Sequence, residues 1–83
     1  MIIHKMADVN GMFMRDHAFT LTKLGTAKEE MDKLDEALQC CTMAMRITEE
    51  LLAASPDDGK LKYNMSVSDF NRRIAGSRIG QGN

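Results

Sequence analysis

The run LDEALQCCTMAMRITEELLAASP, residues 34–56, sets Ala37, Cys41 and Ala44 at steps of four and three, on one side of a helix. Larger side chains would bury more apolar area there, so small ones at this spacing imply that a second helix comes close. Leu34, Leu38, Cys41, Met45 and Leu52 form a line beside them, with Leu51 flanking, so the buried face is wide. Gly25 lies earlier, inside another helical pattern. Glycine in a helix interior costs about 1 kcal/mol against alanine. Close backbone approach explains that residue; helix propensity does not.

Punctuation in the chain divides it into three helices. Asn10, before Gly11, can cap the first, and Phe13, His17, Leu21, Leu24, Ala27 and Met31 then recur as one apolar stripe. Asp32 and Lys33 break it, which predicts a helix over about 11–31 after an N-terminal segment, residues 1–10. The second helix is predicted over 34–54. It stops at SPDDG, because Ser55 precedes Pro56 and is pushed out of helical conformation. Asp57 or Asp58 can cap the third, predicted over 59–79, where Tyr63, Val67, Phe70 and Ile74 recur at steps of four, three and four. GQGN ends it. No stretch alternates with period two, so no sheet is expected. The fold predicted is all-α: an antiparallel three-helix array, one domain over 11–83.

The length of 83 residues fits one domain with a marginal core unless the helices pack well or the chain associates. A net charge of −1 provides no global field for nucleic acid or an anionic membrane. Only a short apolar stretch precedes Lys5, so a secretory leader is not expected, and no apolar run approaches membrane-spanning length. Cys40 and Cys41 are helix neighbours whose side chains diverge by about 100°, too far round for a mutual disulfide. Two free thiols suggest a reducing compartment, and the cytoplasm is the expected location.

No constellation of chemistry stands out. His4, His17, Cys40 and Cys41 match no common zinc spacing, and adjacent helical cysteines do not easily face one ion. A Cys–His nucleophile pair would also need an oxyanion site, which no glycine-rich loop supplies. Glu29, Glu30, Asp32, Asp35 and Glu36 suit the start of the second helix, and Glu49 and Glu50 its solvated side. Arg72, Arg73 and Arg78 form a basic cluster, best read as a solvated face or as cations at the last helix's C-terminal end. No catalytic, cofactor-binding or metal-binding residue is expected, and the chain reads as a non-enzyme.

The first and third helices share a pattern. DVNGMFMRD aligns with PDDGKLKYN at an offset of 48, and TLTKLGTAKEEMDK with FNRRIAGSRIGQGN at an offset of 50. A period in this range marks repeats built from helix pairs. Leu24-Gly25, Ala37, Cys41 and Ala44 occupy the spacings of a tetratricopeptide repeat, which the chain resembles over roughly residues 11–83. Pro56 resembles the proline that ends such a unit, and LAASPDDGKLKYNMSVSDFNRR the connector of bacterial arrays with extended repeats. Lys28 stands where an aromatic is usual, and Cys41 where a large ring is usual.

The resemblance implies one repeat followed by the first helix of another, with Leu24, Gly25, Ala37, Cys41 and Ala44 as packing residues. It implies protein–protein interaction, a peptide or partner helix lying over Thr22, Thr26 and Glu29 of the first helix and Arg72 of the third. The stripe Tyr63, Val67, Phe70 and Ile74 is expected to self-associate as a homodimer, joined by Met6, Met12 and Met14. The alternatives are a purely structural self-assembling unit or a weak nucleic-acid binder through Arg72, Arg73 and Arg78.

Overall fold

Helix α1 spans Ile2–Glu30, α2 Leu34–Ala54 and α3 Gly59–Gln81 in the computed structural model, which describes residues 2–81 and the side chains of 12–80. The connections are short, residues 31–33 and 55–58, so α2 runs antiparallel to both neighbours and α1 lies alongside α3. Helix α2 packs against both; α1 and α3 meet more lightly. The expected second helix is found over its full span, and the third extends two residues further.

The first helix starts earlier than expected. Its backbone is helical from Ile2, so Asn10 and Gly11 lie inside it and not at its start. An Asn-Gly pair disfavours a helix by only about 1–2 kcal/mol, too little to stop one already formed on both sides. The side chains of His4 and Met6, and the terminal Gly82 and Asn83, lie outside the described residues.

Local chemistry sets the ends of the helices. At the end of α1, Asp32 adopts φ 65°, the left-handed conformation that Asp tolerates better than most residues. Lys33 N–H then bonds to Lys28 O at 2.8 Å and Asp32 N–H to Glu29 O at 3.0 Å, which satisfies carbonyls the helix leaves open. Ser55 leaves α2 at φ −138°, ψ 72°, as a residue before proline must. Asp58 is the cap of α3: its Oδ1 accepts from Lys60 N–H at 3.0 Å and Leu61 N–H at 3.2 Å.

The core is a set of small side chains. Ala18, Leu21 and Gly25 of α1 are buried with Ala37, Cys41 and Ala44 of α2. On α3 the buried line is Leu61, Asn64, Ser68, Asn71 and Ala75, at steps of three, four, three and four. This corrects two expected stripes. Of the α1 stripe only Leu21 is buried; Phe13, His17, Leu24, Ala27 and Met31 are exposed. On α3, Tyr63 and Phe70 are exposed while Val67 and Ile74 are half-buried. The cause is the small-residue seam. Where backbones come close enough to touch Ala18 and Gly25, bulky side chains one step round are turned outward. Leu24, 42% exposed, is therefore not a packing residue, whereas Gly25, Ala37, Cys41 and Ala44 are.

Candidate partner-binding groove

Helix α3 is seated on α1 and α2 by a ladder of small polar groups. Thr48 Oγ1 donates to Ala44 O, one turn back, at 2.6 Å and accepts from Asn64 Nδ2 at 3.1 Å. Thr22 Oγ1 donates to Ala18 O at 3.1 Å, and so accepts from the Ser68 hydroxyl at 2.7 Å. Thr26 repeats the arrangement, donating to Thr22 O at 3.2 Å and accepting from Asn71 Nδ2 at 2.8 Å. In every rung the threonine proton is committed to its own helix, leaving a lone pair for a donor on α3. The buried polar groups of this ladder are tolerated because each has its partner; Arg72 Nε, outside it, is buried without one.

Two arginine contacts pin α3 to α1 at either end. Arg15 Nη1 donates to Asp58 Oδ2 at 2.5 Å, on the cap of α3. That guanidinium, first, and the Leu61 N–H, second, hold the Asp58 carboxyl below its usual range. At the other end Arg78 bonds to the Asp32 carboxylate and donates to Glu29 O at 3.2 Å. Arg78, in the last turn of α3 as expected, thus also meets the C-terminal end of α1.

Beside this seam a groove of about 520 Å³ opens between the two helices. Phe19, Thr22, Lys23 and Thr26 of α1 form one wall; Gly59, Lys60, Tyr63, Asn64 and Val67 of α3 form the other. Among the described residues, the charged ones in its lining are Lys23 and Lys60. A second, shallower hollow lies toward the C-terminal half of α3, lined by Phe70, Arg73, Ile74, Ser77 and Arg78. The stripe expected to act as one surface is therefore divided, Tyr63 and Val67 belonging to the groove, Phe70 and Ile74 to the hollow.

The four residues expected to hold a partner are not gathered together. Thr22 and Thr26 line the groove, but Thr22 is buried and its hydroxyl is spent on Ser68. Glu29 is half-buried, its carbonyl taken by Arg78. Arg72 is turned to the α2 side, where it shares a hollow with Thr42, Met45, Arg46 and Glu49. The four-residue step from Thr22 to Thr26 was legible; Arg72 was misplaced because α3 is rotated to bury Ser68 and Asn71. Phe19, Lys23 and Lys60 were missed. They sit at the margin of the buried faces, where periodicity is least informative.

The three cations of the expected basic cluster are all ion-paired: Arg72 and Arg73 with Asp69, at 3.0 and 3.1 Å, and Arg78 with Asp32. Lys28 pairs with Glu36 at 3.3 Å across the first turn. Cys40 and Cys41 are free thiols, and burial, above all, pushes the Cys41 thiol up, with Cys40 and Glu29 adding to it. Among the described residues no group of three or more His, Cys, Asp or Glu could hold a metal ion, and no helix is long and apolar enough to cross a membrane. Comparison with family models, curated proteins and solved structures finds no match to this chain.

Proposed function

We propose that the chain is a protein–protein interaction module of tetratricopeptide type, a binding unit and not an enzyme, that holds a partner segment between α1 and α3. The observation that supports this is the groove walled by Phe19 and Lys23 on one side and Lys60, Tyr63 and Val67 on the other. Aromatic and aliphatic walls with few polar groups suit a docked side chain. Two lysines, with no carboxylate among the described lining residues, favour a segment that carries both an apolar residue and Asp or Glu. The two free thiols fit a reducing compartment, and the reading places the module in the cytoplasm.

The test is to pan a library of short random peptides against the folded chain. The expected result is enrichment of acidic, apolar peptides that lose binding to Lys23→Glu and Lys60→Glu, both exposed positions. No enrichment, or peptides indifferent to both reversals, would defeat the groove as the binding site.

Self-association is a second reading, favoured by a separate observation. Phe70 is 63% exposed and Tyr63 72% exposed on a helix whose buried line includes Asn64, Ser68 and Asn71. Exposed aromatic surface of this kind marks association sites. The homodimer expected from the sequence belongs to this reading, and sedimentation against concentration tests it.

A further inference from the structure

We propose that the segment held between α1 and α3 is an extended chain with Asp or Glu two residues to either side of a large apolar residue. The inference rests on the groove being the partner site and specifies what enters it. Both lysines of the groove are available. Among the described residues neither Lys23 nor Lys60 has a carboxylate partner, whereas Arg15, Lys28, Arg72, Arg73 and Arg78 are all ion-paired. Asp58, beside Gly59 in the chain, is held by Arg15 and by the first turn of α3. Two unpaired cations beside an apolar wall are the complement of an acidic, apolar segment.

The register between the helices orders the lining. Thr22 meets Ser68 and Thr26 meets Asn71, so a residue of α1 lies level with one 45 or 46 positions later on α3. On that scale Phe19 falls between Tyr63 and Val67, Lys23 just past Val67, and Lys60 before Tyr63. The two lysines therefore bracket the apolar residues, about 12–13 Å apart along the axis. An extended chain rises about 3.3 Å per residue and turns alternate side chains the same way. Residues four apart in it are thus separated by about 13 Å and share a face with the residue midway between them. Carboxylates at the ends of such a span reach Lys60 and Lys23 while the middle side chain enters between Phe19 and Tyr63. The space selects the same shape. About 520 Å³ spread from Gly59 to Val67, about 12 Å, leaves about 40 Å² of section. A helix with its side chains, about 10–12 Å across, needs at least about twice that.

Binding of short fluorescein-labelled peptides to the full chain, read by fluorescence anisotropy, provides the test, with circular dichroism to verify folding of each variant. Every peptide carries one Phe among Ala, Ser and Gln, with Glu on both sides of it, adjacent, two residues away or four residues away. The two-residue spacing should bind tightest. Changing either Glu to Gln should weaken it about two- to fivefold. On Lys23→Ala one of those changes should lose its effect, and on Lys60→Ala the other; both lysines are at exposed positions. Tightest binding at the four-residue spacing (a helical span), equal binding at every spacing, or both Glu residues answering to one lysine would overturn the extended arrangement. Such results leave the groove as the partner site wherever binding still depends on either lysine. Peptides that bind at no spacing, or bind indifferently to both lysines, would overturn the proposal, and the random-peptide library then decides whether the groove falls with it.

Discussion

The sulfur of Cys41 fills the space that a β-carbon on Gly25 would need: a carbon built there lies 2.7 Å from Sγ and 3.6 Å from Ala37 O. The first two helices are thus as close as a glycine allows. Cys41 is 1% exposed, so its side chain is enclosed by the protein.

Gly25→Ala is accordingly expected to destabilise the wild-type chain by roughly 1 kcal/mol, overpacking outweighing the better helix propensity of alanine. In a Cys41→Ala background the obstacle is gone, and the same substitution should stabilise by about 0.5–1 kcal/mol. Urea denaturation of the four proteins measures both. The reversal of sign is the diagnostic result; a Gly25→Ala effect equal in both backgrounds would sink the account.

The Thr22–Ser68 rung makes a second cycle. Thr22→Val removes the acceptor and leaves the Ser68 hydroxyl, 0% exposed, without a partner, at a cost of about 1–3 kcal/mol. Adding Ser68→Ala should recover much of that loss, since no donor then remains unpaired. Strictly additive costs would show that the two hydroxyls do not meet.

Acid should weaken the docking of α3 through Asp58. Its carboxyl is held below the usual range in the folded chain, so its contribution is complete above the unfolded value, about 3.9, and is lost as pH falls through the folded one. The melting temperature of Asp58→Asn should lie below wild type near neutrality, and the gap should close as pH falls below about 4 through the lowered folded value. A gap that persists unchanged in strong acid would assign the effect to packing instead of charge.

The adjacent thiols should separate kinetically. Cys41 is buried and its thiol is pushed up, while Cys40, one step round the helix, is half-buried. In Cys40→Ala the remaining thiol should alkylate many times more slowly than the thiol of Cys41→Ala, and denaturant should erase the difference. Equal rates in the folded proteins would place both sulfurs at the surface.

The sequence by itself determined the three helices and the closeness of the first two. Pro56 restricts Ser55, Asp58 can cap the third helix, and runs of good helix formers propagate, all of which are local effects that need no tertiary partner. Gly25, Ala37, Cys41 and Ala44 disclosed their contact because only close approach explains small side chains at that spacing. The tertiary structure alone decided which faces of α1 and α3 turn inward. Apolar periodicity favours Phe13 and Leu24 on one helix and Tyr63 and Phe70 on the other, and all four are exposed. The buried lines instead include Thr22, Ser68 and Asn71, whose partners lie 45 or 46 residues away in the chain. Small polar groups can replace a greasy stripe when every donor meets an acceptor at short range. That matching depends on the register between helices, and a pattern read along one helix does not contain it.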